Sequence, residues 1–173
     1  MIGQDVLFSH GVSDTDPKNH WMTPTSVFRP LHQEFGFTLD AAATKQSRVV
    51  PNYLGPGSWL EKDAFKADWR EFNQGGAVWL NPPYGRGIDR WMKLAKYWGQ
   101  YMTVVVLVMA RTDTRWWHDY VFDGADEVRF RKGRIRFERP DGAKAGAAPA
   151  PSALVVYRPH VQRSFPRVTA WVP

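Results

Sequence analysis

The 173-residue sequence predicts a mixed α/β protein of the doubly wound type, with a mostly parallel sheet, helices on both faces and an antiparallel edge hairpin. Strand and helix patterns alternate through the middle of the chain, which favours parallel pairing with crossover helices. A continuous apolar run from Thr103 to Met109 is typical of a central parallel strand. An apolar–polar alternation from Glu127 to Phe137 is typical of a half-buried hairpin.

The first predicted elements are a helix and a short strand. Apolar residues recur at helical spacing from Thr25, a plausible N-cap, to Phe35, and Gly36 closes the helix. A short strand follows over residues 37–40. Glycine and proline recur through residues 44–76, so we expect short pieces joined by loops there.

The middle of the chain alternates strands and helices. A buried-type strand over 77–80 leads to an amphipathic helix over 87–100. The strand over 103–109 leads to a second helix over 114–122. The segments that follow these strands should meet at one edge of the sheet, where open α/β sheets bind ligands.

The last third of the chain is predicted to be antiparallel. Lys132-Gly133 forms the hairpin turn, and residues 138–151 form a flexible loop rich in glycine, alanine and proline. The segment 152–157 is predicted as the last strand.

The length fits a single domain. We place this domain at residues 19–158, between a flexible N-terminal arm at 1–18 and a peripheral C-terminal tail at 159–173. The formal charge of +6 favours a polyanionic partner such as nucleic acid. The chain has no cysteine, which excludes disulfides and thiolate chemistry, and no carboxylate cluster has convincing metal spacing. No apolar stretch reaches about 18 residues, so no membrane span is expected.

Asn81-Pro82-Pro83-Tyr84 directly follows the predicted strand 77–80. The lone pair of an exocyclic amine is delocalised into its ring, so methylating this nitrogen requires acceptors that hold both N–H bonds. The Asn81 side-chain oxygen and the Pro82 carbonyl can accept these bonds, while the prolines stiffen the loop and remove two donors. Tyr84 offers a flat face to a base that must first rotate out of a duplex. The motif indicates methylation of a planar amine, although a rigid turn that closes a strand is the alternative for the motif alone.

Several further segments occur in a fixed order along the chain. They are Trp21-Met22-Thr23-Pro24, Leu39-Asp40-Ala41-Ala42-Ala43, Asp63-Ala64-Phe65 with Asp68-Trp69, Val78 to Tyr84, Ala110 to Thr114 with Trp116-Trp117, and Gly133 to Phe137. With them, residues 19–157 resemble the small phage-type DNA N-6-adenine methyltransferases, whose fold is Rossmann-like. The Gly-x-Gly loop usual in the wider class is absent, and alanines stand in its place. The resemblance implies a cytoplasmic enzyme of a bacterium or a phage-infected host.

The resemblance also implies S-adenosylmethionine as the methyl donor. In this family Asp40 would accept a hydrogen bond from the cofactor's ammonium group. Asp63, with Asp68 as a rival, would bind the ribose or the cofactor's adenine amine, and Phe65 would pack on the ring. The other residues placed at the cofactor are Ala41 and, at the methionine end, Trp21, Thr23 and Pro24.

Basic side chains provide candidate contacts to DNA phosphates. The predicted hairpin carries four arginines on one face and a lysine at its turn, and three more arginines lie near the catalytic loop. The candidates are Arg129, Arg131, Lys132, Arg134 and Arg136 on the hairpin, and Arg86, Arg111 and Arg115 near the loop. A solvated strand face, or surface ion pairs with Asp89 or Asp113, are the alternatives.

Adenine methylation of DNA, as a duplex with a flipped base or as a single strand, is the favoured function. The same acceptor chemistry would serve methylation of an RNA base or of a protein glutamine amide. A non-catalytic DNA-binding protein with a basic hairpin is a third hypothesis, which predicts no cofactor binding.

Overall fold

The computed structural model describes residues 21–139, 144–160 and 164–172. The predicted arm 1–18 lies outside the described residues. The helices are α1 (Thr25–Phe35), α2 (Trp69–Phe72), α3 (Ile88–Trp98) and α4 (Trp117–Phe122), of which α4 has π-helical hydrogen bonding. The strands are β1 (Phe37–Asp40), β2 (Ala77–Leu80), β3 (Val104–Met109), β4 (Glu127–Arg131), β5 (Arg136–Glu138), β6 (Lys144–Ala147), β7 (Ser152–Tyr157) and β8 (Arg167–Trp171).

Six strands form the main sheet in the order β1-β2-β3-β7-β4-β8. Strands β1, β2 and β3 pair in parallel, β7 runs antiparallel to both of its neighbours, and β8 is parallel to β4. Five strands therefore share one direction, and their carboxyl ends lie at the same edge of the sheet. The mixed α/β class and the mostly parallel sheet are confirmed.

Helices cover both faces of this sheet. Val27 and Leu31 of α1 pack on one face with β-strand residues such as Leu107. On the other face, the apolar sides of α2, α3 and α4 pack around Val106. Both faces of β3 are therefore buried, which explains its uninterrupted apolar run.

The predicted helix 25–35 is confirmed in both of its bounds. Gly36 ends it with φ of 65°, and the Gly36 N–H donates to the His32 carbonyl. The prediction of Thr25 as N-cap is wrong, because Pro24 occupies that position without a side-chain hydrogen bond. The Pro24 carbonyl instead accepts from the amides of Val27 and Phe28.

Residues 44–76 are mostly loops, as predicted, and contain only the short helix α2. Two isolated parallel bridges join Asp40 to Tyr53 and Leu54 to Glu61. Each bridge pairs one residue, so the sheet continues beyond β1 through two very short parallel pairings.

The predicted hairpin 127–137 is wrong. Strand β4 pairs with β7 and β8, while β5 pairs with β6 in a separate two-stranded sheet, so Lys132-Gly133 joins two sheets. The alternation on which the prediction rested is real, since Val128 and Phe130 pack into the core. An alternating pattern identifies a half-buried strand without identifying its partner.

The last part of the chain also differs from the prediction. Strand β6 lies within the predicted flexible loop 138–151, of which residues 140–143 are outside the described residues. Strand β7 is not the last strand, because β8 follows and pairs with β4. Trp171 at the end of β8 is buried. The domain boundary at 158 stays a prediction, although residues 167–171 belong to the main sheet.

Candidate active site

Three of the sequence-predicted site segments meet at the carboxyl edge of the parallel strands. Asp40 ends β1, Asn81 follows β2, and Arg111 follows β3. These strands are neighbours in the sheet, about 4.8 Å apart. The fold thus brings together residues that are far apart in the sequence.

The Asn81 carboxamide lies between two hydroxyl groups. Its Nδ2 donates to Thr23 Oγ1 at 3.2 Å, and its Oδ1 accepts from the Tyr84 hydroxyl at 2.8 Å. Asn81 is half-buried and lines a cleft, while Pro82 is buried beneath it and Pro83 is exposed. The side chain is therefore held in place but remains accessible from the cleft.

Tyr84 is held by aromatic packing as well as by Asn81. Its ring centroid lies 6.4 Å from that of Trp21 and 6.0 Å from that of Phe137. Burial raises the pKa of the Tyr84 hydroxyl well above its ordinary value, so the group stays protonated and can donate. Its oxygen also lies 3.4 Å from the Leu107 carbonyl oxygen.

The segment before α1 is attached to the small sheet. The backbones of Met22 and Glu138 exchange two hydrogen bonds, of 2.8 and 3.0 Å. Trp21 stacks on Phe137 with centroids 5.1 Å apart. The β5–β6 pair therefore positions Trp21 and Thr23 against the loop that carries Asn81 and Tyr84.

Two cavities lie on either side of Tyr84 and Trp21. The first, the cleft in front of Asn81, lies above β1 and β2 and is lined by Trp21, Thr23, Ala42, Ser47, Trp79, Asn81, Pro82, Pro83 and Tyr84. The second has a volume of about 420 Å³ and is lined by Trp21, Tyr84, Gly85, Arg86, Ile88, Met109, Arg111, Trp116 and Pro149. This volume falls in the about 300–1,000 Å³ range of small-molecule sites.

Asp40 lies behind the Asn81 cleft and is 2% exposed. Its carboxylate accepts from the Val49 amide at 3.1 Å and from the Ala42 amide at 3.4 Å. Burial raises the pKa of Asp40 from 3.8 to about 7, although the two amide hydrogen bonds act to lower it. In this conformation the carboxylate holds both ends of the loop that carries Ala42 and Ser47 to the cleft.

The two rival acids have different surroundings. Asp68 is the N-cap of α2, and its carboxylate is also bound by the Arg70 guanidinium, which lowers its pKa. Asp63 accepts from the Phe65 amide at 3.0 Å and lies 3.8 Å from Lys66 Nζ. Phe65 packs against Trp91 with centroids 4.5 Å apart. The Asp68 carboxylate is thus more strongly bound by protein groups than the Asp63 carboxylate. The ribose role of Asp63 stays a prediction.

The predicted DNA-contacting arginines of β4 are turned inward. Arg129 binds the carboxylates of Glu34 and Glu127, and Arg158 and Arg167 bind Glu127 as well. We call these five residues the Glu127 cluster. Their opposite charges are paired with one another, so the arginine of β4 in this cluster stabilises the fold.

The remaining arginines of the predicted hairpin and its turn have varied surroundings. Arg131 lies over the Trp171 ring at 5.1 Å, and its buried Nε and Nη1 have no hydrogen-bond partner among the described residues. Arg134 donates to the Ala148 carbonyl, and its residue surface is exposed. Lys132 and Arg136 are exposed.

The arginines near the catalytic loop are exposed. Arg86 and Arg111 line the second cavity, and within the described part of the chain neither forms an ion pair with Asp89 or Asp113. Arg115 pairs with Asp119 at 3.2 Å. Arg86 and Arg111 are therefore available to a ligand at the cavity mouth.

Several cavity residues were missed by sequence reasoning. Met109, Pro149 and Ile88 line the second cavity and Ser47 lines the cleft. Met109 carried a usable signal, because it is the last residue of a strand that runs to the ligand-binding edge. Pro149 had none, since its place depends on how the small sheet packs.

Comparison with known proteins identifies the family. The model of the DNA N-6-adenine-methyltransferase (Dam) family matches residues 12–170. The chain belongs to this family. It is also 29% identical over 146 residues to the DNA N-6-adenine-methyltransferase of Haemophilus phage HP1 (strain HP1c1), which covers 82% of this chain and 80% of that protein. The protein is thus an adenine-specific DNA methyltransferase, and the family match decides against the RNA-base, glutamine and non-catalytic hypotheses.

No group of three or more potential metal-binding side chains occurs among the described residues. In the same part of the chain, no helix is long and apolar enough to cross a membrane.

Proposed function

We propose that the methyl group passes to the 6-amino group of an extruded adenine held between Asn81 and Tyr84. Asn81 Oδ1 and the Pro82 carbonyl accept the two N–H bonds, which draws the nitrogen lone pair out of conjugation. The hydrogen bond from Tyr84 to Asn81 supports this proposal. It identifies Asn81 Oδ1 as the acceptor, and the Tyr84 hydroxyl occupies the position of a donor that adenine would replace.

We place the adenine ring in the second cavity, with its 6-amino group directed past Tyr84 toward Asn81 and Pro82 in the neighbouring cleft. The wall of the second cavity combines aromatic and aliphatic side chains, including Tyr84, Trp116 and Met109, which suit the faces of a purine. Arg86 and Arg111 at its mouth suit the phosphates on either side of an extruded nucleotide. Stacking and the two amine hydrogen bonds offset the few kcal/mol needed to extrude a base.

We place S-adenosylmethionine in the Asn81 cleft. The cleft has a volume of about 40 Å³, which admits only one end of the cofactor in this conformation, and the hydroxyls of Thr23 and Ser47 offer hydrogen bonds to a polar group there. The cofactor supplies a methyl group on a positively charged sulfur, an electrophile that needs no metal or covalent enzyme intermediate. Asp40 holds the loop that forms this cleft.

The sheet order gives this placement a topological reason. When the two single bridges are counted as strands, the neighbours in the sheet are Glu61, Tyr53–Leu54, β1, β2 and β3. Numbered by their order along the chain, these segments follow the Rossmann order 3-2-1-4-5. The order reverses between β1 and β2, and such switch points are where open α/β sheets bind ligands. The Asn81 cleft lies at this point, which supports a reduced Rossmann-like architecture.

A labelled-methyl transfer assay followed by nucleoside analysis tests the proposal. Wild-type protein should label N6-methyladenine in unmodified DNA. Asn81→Ala should lower the turnover number by about 10²–10³-fold, the usual effect of losing one aligned transition-state hydrogen bond. Asn52→Ala is the control, because Asn52 is a half-buried asparagine outside both cavities. Near-normal turnover by Asn81→Ala would refute the role of this carboxamide.

A further inference from the structure

Trp59 is the most exposed large hydrophobic residue in the described part of the chain, with 77% of its surface open to solvent. Tryptophan carries one of the largest apolar surfaces of any residue, so its exposure leaves a considerable hydrophobic gain unused. It lines neither of the two cavities described above. Within the described residues, Trp59 is therefore open to a binding partner.

The loop that carries Trp59 is held in place by hydrogen bonds on both sides of the indole. The Ser58 hydroxyl donates to the Tyr53 carbonyl and accepts from the Leu60 amide. The Gly55 amide donates to the Glu61 carbonyl at 3.0 Å. The indole is thus presented outward by an ordered loop, which reduces the entropy lost when it binds a partner.

This loop emerges at the edge of the sheet where Asn81 lies. Tyr53 pairs in parallel with Asp40, so the chain leaves residues 53–54 at the carboxyl edge. Gly55 packs so closely on the Ala43 carbonyl that a Cβ would lie 2.2 Å from its oxygen. In strand order, Trp59 lies on the β1 side of Asn81, whereas Arg111 lies on the β3 side.

Basic side chains flank this loop, together with the acids Glu61 and Asp63. Lys45, Arg48 and Lys62 are exposed, and Arg48 lies over the Tyr53 ring at 5.5 Å. The Glu61 carboxylate accepts from two backbone amides, at residues 62 and 63. An exposed aromatic side chain among cations is the combination with which proteins hold nucleic-acid strands.

We propose that Trp59 stacks on a base of the substrate DNA near the extruded adenine, on the flank of Asn81 opposite Arg111. Lys45 and Lys62 contact phosphates of the same DNA. This proposal rests on the placement of adenine beside Asn81. It gives the enzyme a second DNA-contacting surface within a single small domain.

The test measures the affinity of the full chain for a labelled, unmethylated DNA duplex that contains adenines. Trp59→Ala should raise the dissociation constant about tenfold, since one base–aromatic stack is worth about 1–3 kcal/mol. Trp59→Phe should stay within about threefold of the wild type, because phenylalanine keeps a stacking face. Phe165→Ala is the matched control: Phe165 is 74% exposed and precedes β8, at the opposite edge of the sheet. It should leave DNA affinity unchanged.

Calorimetric titration with S-adenosylmethionine completes the test. Its affinity should be equal in Trp59→Ala and the wild type. Unchanged DNA affinity in Trp59→Ala would overturn the proposal, as would a loss of cofactor affinity alone, which would assign Trp59 to the cofactor. Methyl transfer at saturating DNA separates this result from the proposed function, because Asn81→Ala should lose it whereas Trp59→Ala should keep it.

Discussion

Two carboxyl groups, Asp40 and Glu127, are each 2% exposed, yet their surroundings give them opposite properties. Asp40 is bound only by backbone amides, and burial raises its pKa to about 7. Burial also acts to raise the pKa of Glu127, but hydrogen bonds from three arginines lower it to about 2. Burial alone therefore does not decide the charge of an acid, because the partners that are buried with it decide the net effect.

The same contrast separates the polar groups around the two acids. Near Asp40, Asn81 and Thr23 are neutral, have few partners and face a cleft. In the Glu127 cluster, each carboxylate is bound by arginine. A region that keeps unused hydrogen-bonding capacity can bind a ligand, whereas a saturated region mainly stabilises the fold.

The largest expected effect concerns the Glu127 cluster. Glu127→Ala should lower the free energy of unfolding by about 3–5 kcal/mol, because it leaves partly buried guanidinium groups without their carboxylate. Urea denaturation measures this loss. The turnover number of the folded variant should be unchanged, and Glu34→Ala should cost less because Glu34 is more exposed. A variant of normal stability would show that the cluster is not structural.

The next effect concerns the pH dependence of stability through Asp40. Because the pKa of Asp40 is higher in the folded state, the favourable contribution of Asp40 to the free energy of unfolding is complete below pH 3.8. This contribution is lost as pH rises through about 7. A shift of this size corresponds to up to about 4 kcal/mol. Denaturation at a series of pH values should show Asp40→Asn flattening this slope between pH 4 and 7, whereas the exposed control Asp113→Asn keeps it. An unaltered slope in Asp40→Asn would refute the shift.

A smaller effect should show that Thr23 positions Asn81. Thr23→Val removes the acceptor of Asn81 Nδ2, so the carboxamide can rotate away from its productive orientation. We expect the turnover number to fall about tenfold or less, as for the loss of one neutral hydrogen bond, with the KM for DNA unchanged. Steady-state kinetics measures both quantities, and Thr23→Ser should restore turnover. Equal loss in the serine variant would mean that Thr23 acts through its shape.

The smallest expected effect, on DNA binding, distinguishes an arginine at the cavity from an arginine that is bound to carboxylates. Arg111→Ala should weaken DNA binding a few-fold and reduce the salt dependence of the binding constant by about one counterion. Arg129→Ala should leave that salt dependence unchanged and lower stability instead, because its guanidinium binds Glu34 and Glu127. Binding titrations at several salt concentrations decide the matter. The opposite result would place the Glu127 cluster at the DNA interface.

Sequence periodicity predicted the local elements well but not their long-range partners. The bounds of α1, β1 and β2 were predicted because the terminating Gly36 and the apolar spacing are local signals. The hairpin at Glu127–Phe137 was wrong because one alternating pattern suits any neighbouring strand. The carboxyl-edge location of Asn81 followed from strand order, but its contacts with Thr23 and Tyr84 span both near and distant parts of the chain.

The sequence alone predicted the chemistry, since Asn81, the two prolines and Tyr84 follow a buried-type strand in a pattern that suits a planar amine. Only the tertiary structure decided which charged residues are free. Whether an arginine meets a carboxylate depends on strand pairing between residues as distant as Glu34 and Arg129. Such pairing is a property of the whole packed fold, because each strand's local pattern is compatible with several neighbours.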